Sequence, residues 1–344
     1  MGIYILRGGM QTTVQDAGRF GYQSQGIGMA GAMDWRSHRL ANLLLNNPLD
    51  GAVLEFSLVG PQLMFTSGTI IAITGGDFSP TLNGKKLKMH KAHYVGKGDI
   101  LDFKDCKNGN YGYLAFTNSL AIPELLGSRS THVATGMGGF EGRALKQGDR
   151  LEFSHKAQHL PYFGSRQIDG INIQEKNPII RVVLGPQDEM FPESSIQVFL
   201  NSKYTVTHET NRMGCRLEGN RIQPKTTSDI ISDGIALGSI QVPSSGCPIV
   251  LLSDRQTTGG YAKIATVASV DIPKFVQVKA GAKITFQAIA VEEAQSLLEK
   301  EAAKMQRLKE LVNSPSENFI KKRLMPNRLK TKLQKSMLNG GNCL

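Results

Sequence analysis

Two stretches of this chain concentrate side chains that suit chemistry on a small polar ligand. The first, Gln11-Thr-Thr-Val-Gln-Asp-Ala-Gly-Arg-Phe-Gly-Tyr22, sets amide, hydroxyl, carboxylate and guanidinium groups beside Gly18 and Gly21. Asp16 and Arg19 stand three apart. That spacing lets them close a turn as an internal ion pair, or grip opposite ends of a zwitterion. The second, Arg255-Gln-Thr-Thr-Gly-Gly-Tyr261, follows an apolar run that ends at Leu252. A strand followed by a glycine-rich polar loop presents backbone N–H groups that can hold an anion, and Arg255 adds a guanidinium fork. A tight structural loop would use the same residues. No Gly-Lys-Ser/Thr follows, so the loop is not a Walker phosphate motif.

Weaker signals lie between them. In Gly185-Pro-Gln-Asp-Glu-Met190, which follows a strand and is expected to lead into a helix at Phe191, Asp188 and Glu189 are candidate acids or Mg²⁺ ligands, or else solvated turn carboxylates. In Asn211-Arg-Met-Gly-Cys-Arg216, Arg212 either steadies an anionic substrate or pairs with one of those acids. His90 and His93 are spaced by three but have no acidic or cysteine neighbour in sequence, so no metal site is expected. His132 is a possible general base or a satisfied polar group. Thr74-Gly-Gly-Asp77 reads as a glycine-rich turn after a strand, and no G-x-S-x-G nucleophile elbow occurs.

These residues must be positioned by short strands. Thr69-Ile-Ile-Ala-Ile73, Tyr111-Gly-Tyr-Leu-Ala-Phe116, Ile180-Arg-Val-Val-Leu184 and Pro248-Ile-Val-Leu-Leu252 are apolar or alternating runs of strand length. Residues 34–46 read as a helix, with Asp34 as its cap and Asn47-Pro48 as its end. A hairpin pattern recurs: Lys97-Gly-Asp-Ile-Leu-Asp-Phe103 matches Gln147-Gly-Asp-Arg-Leu-Glu-Phe153, and Ala280-Gly-Ala-Lys-Ile-Thr-Phe286 is a weaker copy. Each glycine supplies a turn, and the alternation after it puts apolar residues on one strand face. The expected organisation is a first β lobe over 1–160, a linker over 161–178, a second β lobe over 179–289 and a basic helical tail over 290–344. Val291, Ala294, Leu298, Met305, Leu308 and Val312 mark the tail's apolar stripe.

Composition narrows the class. With 344 residues, 40% of them hydrophobic, the chain can build two cores. Its 37 glycines favour turns and short strands over long helices. Residues 301–344 carry 10 Lys+Arg against 3 Asp+Glu, so +7 of the net +11 sits there and the body holds only +4. A nucleic-acid-binding body is therefore not expected. No apolar run is long enough to span a membrane, and the start reads as a strand, so a cytoplasmic protein is expected. Cys106, Cys215, Cys247 and Cys343 lie too far apart for a zinc or redox motif and read as reduced thiols.

In order, Gln11–Asp16, Gly31-Ala-Met-Asp34, Leu43-Leu-Leu-Asn-Asn-Pro48, Leu54-Glu55, Gly127-Ser-Arg-Ser-Thr131, Gly138-Gly-Phe-Glu-Gly-Arg143, Gly185-Pro-Gln-Asp188, Arg212-Met-Gly214, Ser232-Asp-Gly234, Gly238-Ser-Ile-Gln-Val-Pro243 and Asp254–Tyr261 resemble the allophanate hydrolase subunit 2 family. It is also called the biotin-dependent carboxyltransferase family, and the resemblance covers about residues 3–288. It implies a mainly β fold of two cyclophilin-like β-barrel lobes with a few helices, the C-terminal helical extension falling outside it. It further implies work as the C subunit of an ATP-dependent 5-oxoprolinase, which opens 5-oxo-L-proline to L-glutamate. The implied partners are the other two components of that enzyme, one KipI-like and one LamB/YcsF-like, with ATP and Mg²⁺ held by this chain or by a partner. That activity needs phosphate charge neutralised and a small carboxylate held. The residues suited to it are Asp16, Arg19, Arg212 and Arg255 as catalytic candidates, with Gln11, Thr12, Gln256, Thr257, Thr258, Gly259, Gly260 and Tyr261 binding substrate or phosphate. Within the same resemblance stand two alternatives: a urea-carboxylase type carboxyltransferase module, and a non-enzymatic KipA-like regulator. The chain has no Ala-Met-Lys-Met biotin-acceptor segment, so biotin is not expected on it.

Overall fold

The computed structural model describes residues 1–156, 159–171, 173 and 175–314. Cys343 and the basic run from Lys321 to Arg323 fall outside the described residues, as does most of the expected tail.

The first lobe contains β1 (Gly2–Arg7), β2 (Gln11–Gln15), helix α1 (Trp35–Leu44), β3 (Val53–Ser57), β4 (Gln62–Phe65), β5 (Thr69–Asp77), β6 (Thr81–Leu82), β7 (Lys85–Lys86), β8 (Ala92–Val95), β9 (Ile100–Asp102), β10 (Asn108–Phe116) and β11 (Arg150–Glu152). They form a six-stranded sheet, β11-β1-β4-β9-β6-β7, and a five-stranded sheet, β2-β3-β10-β5-β8. Ile3, Leu63 and Leu101 of the first sheet share a core with Val14, Phe56 and Ile73 of the second.

The second lobe comprises β12 (Ile179–Leu184), α2 (Glu193–Asn201), β13 (Tyr204–Thr210), β14 (Gly214–Glu218), β15 (Asp229–Gly234), β16 (Ser239–Gln241), β17 (Ile249–Leu251), β18 (Thr258–Tyr261), β19 (Lys263–Val267), α3 (Ile272–Val276) and β20 (Lys283–Ala288). Seven of these strands close a barrel in the order β12-β19-β16-β17-β14-β13-β20, while β15 and β18 pair as a separate two-stranded ribbon. The fold is mainly β, as expected. Helix α4 (Val291–Val312) follows. Among the described residues no helix is long and apolar enough to cross a membrane.

The recurring hairpins are real structural equivalents. Their glycines, Gly98, Gly148 and Gly281, all have positive φ, at 88°, 95° and 85°, a region that side-chain-bearing residues avoid. In each, the two apolar residues of the following alternation are buried: Leu101 and Phe103, Leu151 and Phe153, Ile284 and Phe286.

Three local readings change. Thr74-Gly-Gly-Asp77 is not a turn but the end of the nine-residue β5; the ladder with β10 slips register between Asn108 and Gly112, and Gly75, at φ 83°, pairs with Gly112 inside it. The helix expected at Phe191 begins at Glu193, because a short turn over Asp188–Met190 and Pro192 precede it. On α4, Val291 and Leu298 are exposed, and the inward stripe is Ala294, Leu297, Glu301, Met305, Leu308 and Val312. Glu301 belongs there because it pairs with Arg36 Nε of α1 at 2.7 Å.

Helix α1 starts where Asp34 Oδ1 accepts from Ser37 N at 2.9 Å, an N-cap. Its far end is held by the buried Arg166, which donates through Nη1 to the carbonyls of Leu43 and Leu44 and through Nε to Pro161. Cations are favoured at helix C-termini. Leu40 and Leu44 of α1 and Tyr113 of β10 join an apolar cluster continuous with the barrel interior, so this second cluster spans both lobes.

Candidate functional site

Arg212 marks the seam between the lobes. It leaves β13 by way of Asn211, and its guanidinium is buried. Nε and Nη2 donate to Asp254 Oδ2 and Oδ1, both at 2.8 Å; Nη2 also donates to Gly31 O at 2.7 Å, and Nη1 donates to Glu55 Oε1. Glu55 lies in β3, and its second oxygen accepts from Met33 N and the Tyr113 hydroxyl, each at 2.8 Å. Burial drives the Glu55 carboxyl above the ordinary carboxylate range, and Arg212 offsets only part of that. Burial also opposes the Arg212 charge, but the attraction of Asp254 and Glu55 more than reverses it and raises its pKa. Of the two readings left open for Arg212, pairing with acids is the one observed, with Asp254 and Glu55 rather than Asp188 and Glu189 as the partners. Gln277 extends the seam, donating to Asp34 Oδ2 and Tyr111 O and accepting from the backbone of Asn110 and Tyr111.

The neighbouring residue, Arg255, is buried beneath the ribbon of β15 and β18. It donates through Nε to Ile235 O at 2.9 Å and through Nη1 to Leu252 O at 3.3 Å. Among the described residues it has no carboxylate partner, and burial lowers its pKa to about 10. The stretch Thr258–Tyr261, expected as an anion-cradling loop, is instead strand β18. Gly234, Asp233 and Asp229 of β15 face Thr258, Gly259 and Tyr261 across the ladder. Pairing with β15 makes this stretch a strand, and Gly259 has a steric reason: a Cβ there would come within 2.7 Å of both Gln241 Nε2 and Ile235 Cδ1. Gln256 is exposed and Thr257 half-buried.

Under this ribbon sits a residue that sequence reading passed over. Lys263 of β19 has its side chain 1% exposed, and its Nζ donates to Asp233 Oδ2 at 3.0 Å. Gln187 Nε2 reaches the same oxygen at 3.3 Å. The blocks containing Gln187 and Asp233 therefore meet at this ammonium. The signal was present: Lys263 is a single charge inside the mostly apolar run from Ala262 to Val267, just as Glu55 is a single acid inside Val53–Phe56.

The N-terminal candidates lie elsewhere. Asp16 does not pair with Arg19. Its carboxylate accepts from Gly18 N at 2.9 Å, Ser128 Oγ at 2.7 Å, and Ser130 Oγ and Arg129 N at 2.5 Å each. Arg19 is buried, donating to the carbonyls of Leu125 and Ser130; its Nη1 is buried without a partner among the described residues. Burial lowers the Arg19 pKa, with Asp16 partly opposing. Thr12 is buried and donates to Gly8 O. His132 shares a hydrogen bond with Thr135 Oγ1.

Two clefts border these groups. One, of about 370 Å³, lies between the lobes and is lined by Gln11, Asn110, Tyr111, His208, Asn211 and Lys279. The other, of about 610 Å³, has Asp16, Asn47, Asp50, Arg129 and His155 on its walls. The candidates thus do not gather in one cavity: Gln11 faces the first cleft, Asp16 the second, Arg212 the seam, and Arg255 with 256–261 the ribbon. Among the described residues no group of three or more His, Cys, Asp or Glu side chains assembles as a metal site.

A family model described as the carboxyltransferase domain, subdomain A and B, matches residues 25–288. The chain is 33% identical to a Haemophilus influenzae protein named as the C subunit of 5-oxoprolinase, over 90% of this chain and 99% of that one. An Escherichia coli protein of the same name is 35% identical, over 84% of this chain and 92% of the relative. Among solved structures, the Kluyveromyces lactis urea amidolyase superposes with a TM-score of 0.82 at 30% identity, covering 89% of this chain and 20% of that one.

Proposed function

The chain belongs to the carboxyltransferase-domain family, subdomains A and B, and from that premise we propose that it is the C subunit of an ATP-dependent 5-oxoprolinase. One observation carries the reading: the two relatives that bear this name are matched over 99% and 92% of their length. The urea amidolyases from Lachancea kluyveri and Saccharomyces cerevisiae are matched over only 18% and 17% of theirs. The proposed partners are the KipI-like and LamB/YcsF-like components of the same enzyme, and the proposed location is the cytoplasm.

A lactam carbonyl is a poor electrophile, and phosphorylation of its oxygen by ATP supplies a leaving group. Residues 258–261 of the stretch expected to cradle phosphate are paired as a strand and do not form that loop. We propose that ATP and its Mg²⁺ are held by a partner. What this chain contributes is fixed charge beside the ribbon. Arg255 is a buried guanidinium without a carboxylate among the described residues, and a buried cation gains most from an incoming anion. Arg212, tied to both lobes, acts as a positioning residue that holds Asp254, and with it Arg255, in place. Asp16 positions the 128–130 turn and Thr12 a neighbouring backbone.

The second reading, a carboxyl-transfer module, is favoured by the family description and the urea amidolyase superposition. Co-expression with the KipI-like and LamB/YcsF-like partners separates the two. The expected result is glutamate release from 5-oxo-L-proline that needs ATP and all three chains, with no turnover by this chain alone. Absence of glutamate release from the rebuilt complex, together with urea carboxylation on adding a biotinylated partner, would replace the first reading with the second.

A further inference from the structure

We propose that Lys263 is the carboxylate-binding group of a small-molecule subsite, and that Asp233 of the overlying ribbon occupies the carboxylate position of that subsite. The inference deepens the reading above and rests on it for the substrate class.

A lysine ammonium carries three donors. Lys263 lies in a barrel strand between the buried Ala262 and Ile264, and among the described residues Asp233 is the ammonium's one hydrogen-bond partner. Lys263 and Gln187 both come from the barrel side and converge on a single oxygen, Asp233 Oδ2, at 3.0 and 3.3 Å. Two donors focused on one carboxylate oxygen form a recognition geometry for a carboxylate. The acid that fills it is mounted differently. The Asp233 side chain is 53% exposed, and its strand pairs only with β18 among the described residues. Two-stranded ribbons are marginal by themselves; Ile230 packs on the core, but Ile231 in the middle of β15 is 96% exposed and Asp233 lies on the exposed part of the strand. A buried ammonium cannot simply lose its anion. A ligand carboxylate that enters as Asp233 leaves keeps Lys263 paired throughout, and the ribbon then covers the ligand instead of its own acid. Asp233 itself is held below the ordinary carboxylate range, chiefly by the Lys263 hydrogen bond, so it remains charged and in competition near neutral pH.

The test titrates the full chain with 5-oxo-L-proline, acetate, inorganic phosphate and 2-pyrrolidinone, the last being the same lactam ring without the carboxylate. Asp233→Asn removes the internal competitor. The expected result is about fivefold tighter binding of 5-oxo-L-proline, no gain for 2-pyrrolidinone, and loss of the gain when Lys263→Met is added. Lys263→Gln serves if the methionine variant does not fold. Amide hydrogen exchange over 229–234 should accelerate when 5-oxo-L-proline is added to the parent chain. Unchanged or weaker binding by Asp233→Asn, an equal gain for 2-pyrrolidinone, or a gain for phosphate alone would overturn the assignment. A carboxylate gain, acetate included, alongside a rebuilt complex that releases no glutamate would keep the subsite and remove the oxoprolinase reading. Glutamate release with no effect of Asp233→Asn on binding would remove the subsite alone.

Discussion

Asp271 shows how one buried side chain couples the fold to pH. Burial by itself would raise its carboxyl, but hydrogen bonds from Arg181 Nε, Nη2 and backbone N, at 2.8, 2.5 and 2.9 Å, reverse that and hold it below the ordinary range. A carboxyl depressed on folding contributes stability above its unfolded pKa of about 3.9, and that stability is lost as pH falls through the lower folded value. Asp271→Asn is therefore expected to cost about 1.5–3 kcal/mol near neutrality. Its gap from the parent should close below about pH 4, as read by urea midpoints across that range. Asp16, with four donors on its carboxylate, is a similar internal anchor. At this scale the sequence was only partly legible. Residue types flagged Asp16, Arg212 and Arg255 as unusual, but whether a charge faces a ligand or a neighbour depends on partners such as Ser130 and Glu55, each far away along the chain.

Elements were read more securely, because their signals are local. Asp34 caps α1 and Asn47-Pro48 follows its end, as the spacing predicts. The Gly138-Gly-Phe-Glu-Gly-Arg143 block also has a backbone explanation. Gly138, Gly139 and Gly142 all have positive φ, and a Cβ on Gly139 would sit 1.8 Å from Thr131 Oγ1. Gly139→Ala is expected to cost about 1–3 kcal/mol. Gly164→Ala, where nothing lies within 4 Å of the added carbon and φ is ordinary, should be near neutral; thermal midpoints of the two variants check this. The element read least well is β18. Its Thr-Gly-Gly-Tyr composition signals a loop, and only the partner strand β15, well upstream in the chain, makes it a strand.

The whole molecule is held at its seam by an arginine between two carboxylates. Arg212→Ala would leave Glu55 and Asp254 buried without their cation, an expected loss of about 3–5 kcal/mol. Burial already raises the Glu55 carboxyl, so the loss should be largest near neutral pH and shrink as pH falls and Glu55 takes up a proton. Denaturant unfolding at two pH values reads this directly. The amino-acid order by itself determined the β class, the capped helix, the three equivalent hairpins and the family, since alternation, capping and glycine turns act over a few residues. Only the tertiary structure decided which charges are internal. Lys263 beneath Asp233, and Glu55 against Arg212, are pairings between residues far apart in the chain, and burial rather than residue type sets what each of those charges needs.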